Sequence, residues 1–265
     1  MSENTCPAAS AAAESNNKPK IIEQSEYNNI KKVIAVVSGK GGVGKSSVSA
    51  LMAIGLRKQG NKVGILDADI TGPSIPKMFG LNTHPESLDD HILPVKTSTG
   101  ILVISLNLFL AEEDEPVIWR GPVLANVVKQ FWTDVIWGDL DYLIVDLPPG
   151  TGDIPLTAMQ SLPLDGLVVV TSPQDLAMMV VKKAVKMAEH MNIPILGMVE
   201  NMSYLKCPDC GKEIYLFGPS KVFETTLETG MRLIDKLPVD PELAALADRG
   251  EIESYQTDAF KGISF

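Results

Sequence analysis

Cysteine, positive charge and long apolar runs are all scarce in this chain of 265 residues. Only Cys6, Cys207 and Cys210 are present. So few cysteines, in an odd number, cannot build a disulfide framework, and the fold must rest on its core. Lys and Arg total 23 against 33 Asp and Glu, a net charge of -10. A field of that sign repels phosphate polymers and anionic lipid, which argues against a nucleic-acid or membrane partner. No uninterrupted apolar run reaches the roughly 20 residues a membrane helix needs. The N-terminus has no basic flank followed by an apolar stretch, which argues against a signal peptide. A cytoplasmic location is the expectation.

With 45% hydrophobic and 21% charged residues, the chain can bury a sizeable core. Residues 1–29 are rich in Ala, Ser, Asn and Glu and are expected to form a disordered tail. Residues 30–265 are expected to form one domain, with a turn-rich loop inserted near 204–217. Short β-branched runs at 33–37, 63–66, 102–104, 142–145, 166–170, 195–199 and 233–237 read as buried strands. Between them, 46–59, 122–137, 175–191, 222–228 and 241–248 read as helices. That alternation predicts an α/β fold: an open, mostly parallel sheet with helices on both faces. Ligands of such sheets bind beyond the carboxyl ends of the strands, and there the polar clusters fall.

The first strand runs into Gly39-Lys40-Gly41-Gly42-Val43-Gly44-Lys45-Ser46, a P-loop pattern between strand and helix. Glycines let the backbone aim several N–H groups at one phosphate, and the following helix adds its positive end. Gly41, Gly42, Val43, Gly44, Lys45, Ser46 and Ser47 are therefore candidates for binding ATP. Lys45 is expected to reach the β- and γ-phosphates, and the Ser46 hydroxyl to ligate Mg²⁺. Asp146 ends another apolar strand, where a carboxylate can hold Mg²⁺ through water. The turn Pro148-Pro149-Gly150-Thr151-Gly152 after it has the look of a γ-phosphate sensor. Asp67 and Asp69 end the second strand, with a cap on the turn that follows as the lesser alternative for Asp67. Asn201 follows a strand too, where it is either a turn residue or a contact for adenine.

Cys207-Pro208-Asp209-Cys210-Gly211 is a knuckle-type loop that can aim two thiolates at one metal. Structural zinc and cubane iron–sulfur clusters both want four ligands, and one chain offers two. A two-fold dimer would complete the set. The spacing does not choose between zinc and iron–sulfur, and a redox pair or two plain buried cysteines are the remaining readings.

The early Lys40 resembles the signature lysine of the MinD, ParA and nitrogenase iron-protein class. In that class this lysine crosses a dimer interface to the partner's nucleotide. Asp69 then corresponds to the group that positions the attacking water, Asp67 to the metal's outer shell, and Asn201 to the adenine contact. With Asp67-Ala68-Asp69-Ile70-Thr71-Gly72-Pro73-Ser74, Trp119-Arg120-Gly121-Pro122, the Asp146–Asp153 run, Asn201-Met202-Ser203 and the cysteine knuckle, the chain resembles the Mrp/ApbC iron–sulfur cluster carriers over about 31–247. The resemblance implies catalytic roles for Lys40, Lys45 and Asp69. It also implies a homodimer that shares an iron–sulfur cluster, of the 4Fe–4S type, between Cys207 and Cys210 of each copy. ATP hydrolysis would govern delivery of the cluster to apo iron–sulfur proteins. Some relatives carry a four-cysteine N-terminal segment; with Cys6 alone there, no second cluster is expected. A zinc-bridged adaptor and a MinD/ParA-like positioning ATPase are the rival readings, and the acidic C-terminal stretch, with no cationic face, counts against the latter.

Overall fold

The computed structural model describes residues 21–265 except 70, 71, 73, 111–120, 151, 219 and 221. Its first half runs β1 (Asn28–Ser38), α1 (Lys45–Lys58), β2 (Val63–Asp67), α2 (Ile75–Met78), β3 (Ser87–Leu88), β4 (His91–Ile92), β5 (Val95–Lys96) and β6 (Leu102–Ser105). Then come α3 (Gly121–Thr133), β7 (Gly138–Asp146), α4 (Asp153–Ser161), β8 (Gly166–Thr171), α5 (Asp175–His190) and β9 (Ile195–Glu200). The chain closes with β10 (Leu205–Lys206), β11 (Glu213–Ile214), α6 (Val222–Thr229), β12 (Leu233–Lys236) and α7 (Pro241–Asp248).

Eight strands form one sheet in the order β12-β9-β8-β1-β7-β2-β6-β5. All neighbours are parallel except β5 and β6 at one edge. The sheet is therefore the mostly parallel one the alternating pattern predicts. β1 lies between β7 and β8, so the chain leaves it at the point where strand order reverses, and a crevice opens there. Alternate residues of β1 feed two cores. Val33, Ala35 and Val37 join one with Trp132, Leu143 and Val145; Ile34 and Val36 join the other with α1 and Ile144. Each fully buried Leu or Ile contributes about 1.5–3 kcal/mol, so this double-sided burial holds the crevice walls fixed.

Order reaches further toward the N-terminus than residue 30. The Ile22 N–H donates to Ser161 O at 2.8 Å, and the Trp132 indole N–H donates to Ile22 O at 3.1 Å. The Asn28 side chain accepts from Trp137 N and donates to Val135 O. A polar stretch is held here by hydrogen bonds to the sheet's far end, which composition does not reveal. Residues 1–20, including Cys6, lie outside the described residues.

Several elements depart from the expectation. α3 stops at Thr133 rather than near 137, because Val135 and Trp137 extend into the core beside Asn28. β7 starts at Gly138 rather than Tyr142, paired with Asn28. An unforeseen helix, α4, follows the Pro-Pro-Gly turn.

Candidate functional site

The crevice at the end of β1 is a cleft of about 240 Å³. It is lined by Ser38, the run from Lys40 to Ser47, and Asp69, Gly72, Ser74 and Pro149. Gly42 and Gly44 hold φ of 79° and 76°, a left-handed backbone that favours glycine. Space separates them. A Cβ on Gly42 would meet nothing, whereas one on Gly44 would lie 2.2 Å from the Asn201 Nδ2.

Lys45 is buried at the start of α1, with its ammonium 2.8 Å from Asp146 Oδ1 and 3.6 Å from Asp69 Oδ2. The close approach to Asp146 is off the hydrogen-bond direction, so among the described residues this nitrogen has no directed hydrogen-bond partner. A buried cation left so, beside a glycine cradle, suits an anionic oxygen. Asp146 is fully buried and accepts from Ser46 Oγ at 2.6 Å and Ser49 Oγ at 2.7 Å. An all-oxygen pair of hydroxyl and carboxylate fits Mg²⁺, which keeps several water and phosphate oxygens in its shell.

β2 and β7 stand in register, so Asp67 lies opposite Asp146. Asp67 is used structurally: Oδ1 accepts from Asp69 N at 3.1 Å and Oδ2 from Ser105 Oγ at 3.0 Å. Burial, with Asp146 nearby, raises its carboxyl well above the usual range. Asp67 is thus set back from the cleft, and Asp69 lines it.

The remaining expected residues divide. Ser47 lines the cleft, with its hydroxyl 3.8 Å from Met78 Sδ of α2. Lys40 donates to the Gln174 side chain just before α5. Asn201 is buried behind the cradle and donates to Val43 O at 2.9 Å. Gly150 N donates to Ser38 O at 2.8 Å, which ties the turn after β7 to the cradle. Of the quoted family-like stretches, Ile70, Thr71, Pro73, Trp119, Arg120 and Thr151 lie outside the described residues.

The cysteines sit apart, on the β10–β11 hairpin. Cys207 N donates to Lys212 O and Gly211 N to Cys207 O, both at 2.9 Å, and Gly211 takes φ of 71° to close the turn. Backbone N–H groups of Cys210 and Asp209 aim at the Cys207 sulfur, and the Cys210 thiol adds a third donor. Together they hold the Cys207 thiol below its ordinary range. Cys207 is half-buried and Cys210 exposed. No set of three or more His, Cys, Asp or Glu side chains that could hold a metal occurs among the described residues. Among the described residues the knuckle therefore offers a metal two thiols and no third side chain of these types.

Several partners escaped the sequence reading. Ser49 lies one helical turn after Lys45, and that spacing could have flagged it. Ser105 and Gln174 come from distant segments and carry no local signal.

Three comparisons bear on this arrangement. The family described as "ParA: NUBPL iron-transfer P-loop NTPase" matches residues 29–263. A protein of Clostridium perfringens named "Iron-sulfur cluster carrier protein" is 48% identical over 239 residues, covering 87% of this chain and 84% of its own length. One of the same name from Methanocaldococcus jannaschii is 44% identical over 251 residues, covering 94% and 86%. Among solved structures, a nucleotide-binding protein from Archaeoglobus fulgidus in complex with ADP is 45% identical. It has a TM-score of 0.81 and covers 89% of this chain and 93% of its own. The cell division ATPase MinD of Pyrococcus furiosus, 20% identical with a TM-score of 0.61, covers 87% and 95% and shares the fold. With its cradle, buried lysine and paired acids in the crevice beside β1, the chain belongs to the NUBPL iron-transfer P-loop NTPases of the ParA type.

Proposed function

We propose that this protein is an ATP-hydrolysing carrier that holds an iron–sulfur cluster between two copies of itself and passes it to apo iron–sulfur proteins. The observation that carries the reading is the pairing of a finished phosphate cradle with an unfinished thiolate site in one chain. The names of the relatives, each an iron–sulfur cluster carrier, support the cargo.

The cradle's N–H groups and Lys45 would bind the β- and γ-phosphates. Ser46 and Asp146 would hold Mg²⁺, with Asp67 behind them; bound there, the ion offsets phosphate charge. Asp69 would orient the attacking water, whose oxygen joins the γ-phosphorus as the bond to ADP breaks. Lys40 would leave Gln174 and cross to the nucleotide of the partner copy. The base would lie toward Asn201 and the loop Pro238-Val239-Asp240, which borders a second cavity of about 490 Å³. The cargo is a cluster of the 4Fe–4S type on Cys207 and Cys210 of each copy, and the carrier works in the cytoplasm.

A continuous path supports coupling between the two sites. Asn201 touches the cradle through Val43 and precedes Cys207 by only six residues. Beside it, Glu200 is buried and accepts from Ser203 Oγ at 2.5 Å and Ser220 Oγ at 3.0 Å, with Lys236 Nζ at 3.7 Å. Ser220 lies between the cysteine hairpin and α6, so one carboxylate joins the end of β9 to the segment after the knuckle. A shift of the cradle on hydrolysis would reach the thiols along this route.

The test is anaerobic reconstitution with ferrous iron and sulfide. The expected result is broad visible absorption that is absent in Cys207→Ala, with about four irons per pair of chains. Colourless protein that keeps stoichiometric zinc would overturn the cargo and favour a zinc-bridged adaptor.

A further inference from the structure

Large apolar side chains are exposed unevenly along this chain. Of eleven such residues among those described, six fall between 214 and 227, immediately after the cysteine knuckle: Ile214, Tyr215, Leu216, Phe217, Phe223 and Leu227. Helix α6 shows the pattern most sharply. Val222 and Thr225 point inward and are buried, while Phe223 and Leu227, one turn apart, are 70% and 71% exposed. An ordinary surface helix puts its largest apolar residues against the core and its polar ones outward. Here the two largest lie on the solvent face. An exposed ion pair links Lys182 of α5 to Glu228 at 2.9 Å. A concentration of exposed apolar groups of this kind marks a contact surface.

We infer that this patch is the contact between two copies of the chain that frames the shared cluster. The inference rests on the cluster-sharing reading above. Two thiols per chain leave a four-sulfur site incomplete, and no third or fourth ligand lies near them among the described residues. A two-fold axis through the completed site would bring each β10–β11 hairpin against its counterpart. Tyr215, Leu216 and Phe217 continue directly from that hairpin, and α6 begins five residues after Phe217. An isologous contact sets a patch against itself, and its apolar side chains meet their own image without repulsion. That matters for a chain of net charge -10, whose copies repel at a distance. Apolar burial beside the axis supplies the attraction, and the sulfurs fix the register.

The experiment measures mass by sedimentation equilibrium on the full chain after anaerobic loading with ferrous iron and sulfide. It compares the unaltered protein, Phe223→Glu/Leu227→Glu and Leu216→Glu. The unaltered, loaded protein should have the mass of two chains. The double variant should need about tenfold or more protein to pair and should retain less cluster per chain, with ADP binding and circular dichroism unchanged. Leu216→Glu should do the same to a smaller degree, and it decides the matter if the double variant does not fold. If both variants pair as tightly as the parent, the patch inference falls while the carrier reading stands. Normal pairing with slowed cluster delivery to an apo-ferredoxin would assign the patch to recipients instead and overturn it. A loaded parent with the mass of one chain would sink both readings.

Discussion

The phosphate cradle and the cysteine knuckle are made in opposite ways. In the cradle, Lys45, Asp146, Ser46 and Ser49 are drawn from α1 and β7 and packed together beneath the glycine loop. Each charge has its counter-charge within the same chain. The knuckle hangs on strands of two residues each, its sulfurs reach solvent, and its nearest donors are its own backbone N–H groups. The first is a rigid site that awaits a ligand. The second, on the reading proposed above, is half of a site that another copy would complete. A carrier needs both qualities, because the group that does chemistry must be held still and the group that releases cargo must remain accessible.

This contrast can be broken experimentally, beginning where the effect should be largest. Lys45→Ala should lower ATP turnover by at least about a thousandfold. It also leaves Asp146 buried without a cation, so thermal unfolding should show about 3–5 kcal/mol less stability in the nucleotide-free protein. A Lys45→Ala protein that is as stable and active as its parent would refute the account of the cradle. Gly44→Ala and Gly42→Ala make a sharper pair. Both incur the left-handed backbone cost of about 1–2 kcal/mol. Only Gly44→Ala also collides with Asn201, so it should have the lower melting temperature and lose ADP affinity; equal losses would mean that Asn201 yields freely.

Glu200→Gln tests whether the two regions communicate. Basal hydrolysis should stay within about twofold, while the effect of ATP on cluster release, followed by absorbance, should fall about fivefold or more. An intact ATP effect would remove Glu200 from the path. The smallest effect concerns the metal-free knuckle. Because its backbone donors stabilise the thiolate, Cys207 ionises at lower pH than a free cysteine. Mass-spectrometric mapping should therefore find Cys207 alkylated by iodoacetamide ahead of Cys210 near neutral pH, although Cys210 is the more exposed. The preference should fade as the pH rises.

What could be read from the sequence followed the range of the interactions. The glycine loop declares itself because strand, turn and helix start are contiguous, and the strand-ending acids because a charge closing an apolar run is conspicuous. The parallel sheet follows from the same alternation. Helix α4 was hidden by Pro155, which reads as a breaker but falls in the first turn, where its missing N–H costs nothing. Residues 21–29 looked like tail because their ties are hydrogen bonds to Ser161, Val135 and Trp137, more than a hundred positions away. Ser105 beneath Asp67 and Ser220 on Glu200, 38 and 20 positions from their partners, carried no local signal either. The knuckle was recognisable as a pair of ligands, yet its spacing alone named no metal.

The central position of β1 also bears on how the protein is made. Asn29 meets Asp139 across 110 residues, and β8, on the other flank, is later still. The ribosome therefore releases the cradle's glycines long before either neighbouring strand exists to hold them. Nucleotide can be captured only after two-thirds of the polypeptide has emerged, so a truncated nascent chain presents an unformed loop rather than an ATP trap.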